Sequence, residues 1–200
     1  MSYPEKQYHR QETSKEYTKV YTLNNEDTIG LNQSEDGLMG YASIDTIKSF
    51  RRNYGDFYDT TIQSGSADTA YSMKLNSTNV SKNISIVSGS RITPTTDGIY
   101  NIQFSAQLTN TANTNIHFDI WLNYTGSNVP YTNTQIDVNK TAGTLGRVVA
   151  AWNLVKEIKA NDYVELMWSC SNTTGQLYAT GSNSIHPGIP SVITTITQIA

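Results

Sequence analysis

The stretch Asp97–Leu108, DGIYNIQFSAQL, constrains the fold more than any other part of this chain. Tyr100, Ile102, Phe104, Ala106 and Leu108 alternate with Asn101, Gln103, Ser105 and Gln107. A side-chain period of two sends the first set into a core and the second to a face that tolerates amides and hydroxyls. Asp97-Gly98 supplies the turn ahead of it, because Gly accepts positive φ and Asp bonds its own backbone. A strand this long requires a large sheet.

Similar signals follow one another from Phe57 onward. Thr69–Leu75 alternates, Ile84–Val87 is a short apolar run, and Arg91-Ile92-Thr93 stops at Pro94. Ile116–Tyr124 sends Ile116, Phe118, Ile120, Leu122 and Tyr124 one way, and His117, Asp119, Trp121 and Asn123 the other. Val148–Val155 is apolar on both faces, which predicts a strand covered on both sides. Asn161-Asp162 turns the chain into Tyr163–Cys170; Gln176–Thr180 and Val192–Ile199 complete the set. About 8–10 strands at this spacing, almost without helical periodicity, predict an all-β, antiparallel jelly-roll sandwich over residues 55–200.

Charge divides the chain differently from strand pattern. Residues 1–60 hold 7 Lys/Arg and 10 Asp/Glu, against 7 and 7 in residues 61–200. Ser, Thr and Asn make up about a third of the second region, a composition common in β-built shell and fibre proteins. Residues 1–54 have too few apolar side chains to bury a core. They read as an extended N-terminal arm, with a short helix near 44–51 that sets Ile44, Ile47 and Phe50 on one side. Thirty extended residues reach at most about 100 Å, enough to cross a neighbouring subunit. Tyr8, Tyr17, Val20, Tyr21, Leu23, Ile29 and Leu31 are the arm's candidate docking residues.

Formal charge is -3, which favours neither nucleic acid nor an anionic membrane as partner. Cys170 is the only cysteine, so no disulfide forms within the chain. Met1–Arg10 lacks the apolar segment of a signal peptide, and assembly in a cytoplasm is expected.

Two motifs carry a resemblance. Gly98-Ile-Tyr100-Asn-Ile-Gln-Phe104, followed by a Trp strand and by Asn161-Asp162-Tyr-Val164-Glu-Leu166, resembles the tumour necrosis factor-like and complement globular-head jelly roll. Asn161 stands where a Gly is usual there, and the Tyr100–Phe104 spacing exceeds the tightest version. Gly55–Gln63, Arg91–Thr93, Val149–Asn153, Glu165–Ser169 and Ile189–Ile193 are similar to bacteriophage virion proteins carrying this domain. The resemblance covers about residues 55–200. It implies a homotrimer in which one sheet of each protomer packs around a threefold axis. Gln103, Ser105 and Gln107 would then meet across it, since uncharged amides and hydroxyls bond one another where like charges repel. His117, Asp119 and Trp121 are assigned to the same contact. On pattern alone, these residues equally suit the solvated face of an ordinary antiparallel sheet.

Catalytic constellations are weak. His117 and Asp119 share a strand face without a third ligand, so no metal is expected. Cys170 runs in phase with Val164, Leu166 and Trp168, as a buried inert thiol would. Asp162 is explained by its turn rather than by pairing with Glu165. No phosphate loop occurs, and neither enzyme nor cofactor is expected. The Asn-x-Ser/Thr triplets follow from composition.

The leading expectation is a non-enzymatic virion structural protein of a bacteriophage, a head decoration or head fibre at the virion surface. Its arm would grip the major capsid protein or another virion protein. The alternative is a tail-fibre or spike tip binding a host surface glycan, with Tyr131 and Tyr178 stacking on sugar rings at a loop rim.

Overall fold

The computed structural model of the protein describes residues 28–32, 39–43, 52–139 and 145–200. The chain divides into two units, residues 1–51 and 52–200. In the first, β1 (Thr28–Asn32) pairs antiparallel with β2 (Met39–Ser43). The predicted extended arm therefore contains a hairpin: Ile29 lies opposite Ala42 and Leu31 opposite Gly40. Backbone bonding between the two segments supplies order that their few apolar residues did not advertise. The short helix near 44–51 and the docking residues Tyr8, Tyr17, Val20, Tyr21 and Leu23 lie outside the described residues.

The second unit is a sandwich of two antiparallel seven-stranded sheets. Among the described residues there is no helix. The first sheet contains β3 (Tyr54–Asp59), β4 (Gln63–Ser64), β6 (Ser77–Lys82), β9 (Gly98–Asn110), β13 (Gly146–Ile158), β15 (Gly175–Leu177) and β16 (Val192–Gln198). The second contains β5 (Tyr71–Ser72), β7 (Ile84–Val87), β8 (Arg91–Pro94), β10 (Ile116–Tyr124), β11 (Ser127–Asn128), β12 (Thr134–Val138) and β14 (Val164–Cys170). Strand β9 pairs along its whole length with β13 on one side, and with β16 then β15 on the other. Strand β10 lies between β14 and the pair β11 and β12.

The alternation in β9 and β10 builds the core as expected. Tyr100, Ile102, Ala106 and Leu108 from β9 are buried with Phe118, Ile120 and Leu122 from β10 and Leu166 and Trp168 from β14. Trp168 stacks on Phe118 with ring centroids 6.1 Å apart. Tyr100 is fully buried, and its phenol donates to the Thr96 carbonyl at 2.8 Å, which satisfies the one polar atom that the ring carries inward. At the far end of β10 the Tyr124 phenol donates to the Asp162 carboxylate and ties that strand to the Asn161 turn. Asn161 sits at φ 65°, as the turn requires.

Candidate functional site

The outward side chains of the first sheet form rows across four strands. Val155, Asn101, Thr197 and Tyr54 make one row; Asn153, Gln103, Thr195 and Asp56 the next. Ala151, Ser105, Ile193 and Tyr58 make a third. Val149 lies opposite Gln107, whose carbonyl accepts the Tyr178 N–H at 2.7 Å. Charge stands at the ends of this face in Arg147, Glu157 and Lys82, and within its rows in Asp56. Arg147 stacks over the Tyr178 ring at 4.1 Å.

This face is apolar for a surface. Tyr54, Val80, Ile99, Val149, Val155 and Ile193 are all exposed large apolar residues, and all belong to strands of the first sheet. Val149 and Val155 are 56% and 57% exposed. The sequence predicts Val148–Val155 covered on both sides; in the single chain its outer side is bare. Between the valines lie amides: Asn153 donates to Asn101 at 3.2 Å, while the side chains of Gln103, Ser105 and Gln107 form no hydrogen bond among the described residues. Gln103, Phe104, Ser105, Ile193 and Thr195 line a shallow hollow of about 220 Å³.

His117, Asp119 and Trp121 are elsewhere. They project from β10 on the outer side of the second sheet, while Gln103, Ser105 and Gln107 project from the outer side of the first. The six residues assigned to one contact thus occupy two outer faces of the sandwich, on opposite sides of the core. Period-two alternation identifies which residues share a face of one strand, but not which sheet the strand joins.

Asp119 and Trp121 instead line a hollow of about 420 Å³ with Asn128, Val129, Pro130, Tyr131, Asn133 and Ser169. Asp119 lies between Gln135 on β12 and Ser169 on β14. Its carboxylate accepts from Asn133 Nδ2 at 2.9 Å and from Gln135 Nε2 at 3.5 Å. Trp121 Nε1 donates to Asn128 Oδ1 at 2.7 Å. The two tyrosines assigned to one rim are separated: Tyr131 lines this hollow, and Tyr178 belongs to the first-sheet face. The loops that bear Thr111 and Thr174 meet through Thr111 Oγ1, which donates to the Thr174 carbonyl at 3.1 Å, whereas Gly126 lies in the turn at the opposite end of β10.

Among the described residues no three His, Cys, Asp or Glu side chains gather as a metal site. Cys170 is buried, and burial pushes its thiol above the ordinary value. Glu165 accepts from Ser90 at 2.6 Å and Asp162 from Tyr124, so the two carboxylates serve separate structural bonds.

Comparison by sequence finds no matching protein family and no matching characterised protein. Comparison by structure gives several likenesses. The Eiger tumour necrosis factor of S. frugiperda is similar at a TM-score of 0.50 and 9% identity, covering 74% of this chain and 93% of that one. The fold is a tumour necrosis factor-like jelly roll. Murine APRIL gives a TM-score of 0.48 at 9% identity over 74% of this chain and all of its own. The globular domain of zebrafish complement 1qA gives 0.42 at 8% identity, over 75% and 98%.

Proposed function

We propose that the chain is a non-enzymatic structural protein of a bacteriophage particle. In this reading residues 52–200 form a homotrimeric jelly-roll knob, displayed at the virion surface as a head decoration or head fibre. Residues 1–51 tie it to the major capsid protein or another virion protein, and the whole assembles in the host cytoplasm.

The observation that carries the reading is the outer face of the first sheet. It presents valine and isoleucine beside unpaired amides, and Asp56 is the one charge within the rows described above. Water is a poor partner for the first group and a dispensable one for the second. Covering Val149 and Val155 contributes about 1 kcal/mol each, given that roughly half of each side chain starts exposed. A threefold arrangement lets Gln103, Ser105 and Gln107 of each copy find amide and hydroxyl partners in the next. The phage setting rests on the resemblance of the motifs between Gly55 and Ile193 to those of virion proteins and on the shell-like Ser/Thr/Asn composition.

Sedimentation equilibrium of the full-length chain tests the assembly. The expected mass is about three times 22.2 kDa. Val149→Asp with Val155→Asp sets three pairs of carboxylates against one another and should give a folded monomer with an unchanged β-sheet circular dichroism spectrum. A wild-type chain that stays monomeric at the highest soluble concentration overturns the proposal.

A second reading is favoured by the Trp121 hollow: a tail-fibre or spike tip whose second sheet binds a host surface glycan. A concave site with aromatic walls and convergent polar groups is the usual form of a small-ligand site.

A further inference from the structure

The geometry points to a binding subsite for one pyranose ring of an uncharged glycan in the hollow between β10 and the Asn128–Asn133 loop. This inference rests on the attachment reading above and gives it a chemistry.

The hollow, about 420 Å³, falls within the usual range for small-ligand pockets, about 300–1,000 Å³. Its polar groups are those a sugar uses. The Asp119 carboxylate has about four lone-pair positions, of which the Asn133 and Gln135 amides take two. The others remain for a pair of neighbouring hydroxyls. Ser169, directly opposite Asp119 across β10 and β14, adds a group that both donates and accepts. Two amides already bond the carboxylate, and no cationic side chain lines the hollow, so a neutral ligand suits it better than an anionic one.

Trp121 supplies the apolar surface. Its indole N–H is held by Asn128 Oδ1 at 2.7 Å, which fixes the ring plane, and the ring stacks on no other aromatic ring among the described residues. The C–H face of a pyranose packs on such a ring while its equatorial hydroxyls reach sideways to polar groups.

Tyr131 is the independent observation. It is fully exposed and sits at φ 63°, a left-handed conformation that costs a non-glycine residue free energy. An aromatic ring kept in water on a strained backbone brings no folding benefit. The loop nevertheless holds it there: the Val129 N–H donates to the Leu122 carbonyl at 2.9 Å, and Thr132 Oγ1 donates to the Val129 carbonyl at 2.7 Å. Leu122 N–H in turn donates to Thr132 Oγ1 at 3.1 Å. The loop is preorganised with Tyr131 beside the Trp121 hollow, which lowers the ordering cost of binding.

The test uses the full-length chain on a printed array of neutral surface oligosaccharides, with saturation-transfer NMR against galactose, glucose and N-acetylglucosamine. Wild-type binding that weakens about tenfold in Trp121→Ala and in Tyr131→Ala, and stays within about twofold in Tyr178→Ala, is the expected result. Trp121→Phe should retain part of the affinity. Tyr131 is fully exposed, so its loss of binding cannot be ascribed to unfolding. Wild-type binding that survives both Trp121→Ala and Tyr131→Ala overturns the subsite but leaves glycan attachment standing. A wild-type chain that binds no sugar in either assay overturns both.

Discussion

Gly175 is the tightest position in the second unit for which a single atom makes a testable difference. A Cβ there would lie 2.1 Å from Cys170 Sγ and 2.9 Å from Phe118 Cζ. Gly175→Ala must therefore displace a buried sulfur and the ring stacked on Trp168, at a cost of about 1–3 kcal/mol. Cys170→Ala removes the sulfur. In a double-mutant cycle read by urea unfolding, the pair should be less destabilising than the sum of the single changes by about 0.5 kcal/mol or more. Protein concentration is held fixed, because the proposed trimer would make stability depend on it. Cys170 also predicts a chemical outcome. Burial raises its pKa, so the folded state binds the thiol proton more tightly than the unfolded chain does. That contribution to stability is fully present below the ordinary thiol pKa and is lost as pH rises through the raised one. At pH 8 the thiol should react with a disulfide reagent only as fast as the sandwich opens, and with one equivalent per chain in denaturant. Fast labelling of the native protein would contradict both its burial and its assignment as inert.

At the scale of elements, β13 holds more consequences than its neighbours. It pairs with β9 through all 13 residues and carries Trp152 edge-on to Phe104, ring centroids 4.5 Å apart. Trp152 is only half-buried, so Trp152→Ala should cost about 2 kcal/mol, below the full range for buried Trp. The loss should appear as a lower urea midpoint. Strands β9, β10 and β14 were legible in the sequence because each has one core face, and alternation of large apolar with polar residues records that directly. Strands β6 and β12 were not. Ser77–Lys82 and Thr134–Val138 contribute one buried residue between them, Val138, and are held by backbone pairing to β3 and β10. Pairing of this kind leaves no side-chain period to read. The candidate site was legible in part for the same reason. Alternation found Gln103 with Ser105 and Gln107, and Asp119 with Trp121, but the sheet each strand would enter depends on long-range pairing. The partnership of Trp121 with Tyr131 depends on a loop folding back, of which the sequence shows only that Gly126 and Pro130 interrupt the alternation after Tyr124.

At the scale of the molecule, the two units predict separable tasks. Among the described residues the buried core lies within residues 52–200, whose two sheets close on each other. The truncated chain should melt within a few degrees of the full-length protein and keep the same oligomeric mass. What it should lose is attachment. Among the described residues β1 and β2 pair only with each other, and the open edges of such a two-stranded sheet add to a neighbour's sheet where one is offered. Deleting residues 1–30 removes the candidate docking residues up to Ile29 and cuts into β1, leaving β2 without most of its partner. If the proposed function holds, trimers of that variant form at normal yield but fail to co-sediment with phage particles. If they decorate particles at wild-type occupancy, docking does not run through this segment. The knob itself would then have to hold the particle, and the apolar face of the first sheet would be the surface to mutate next.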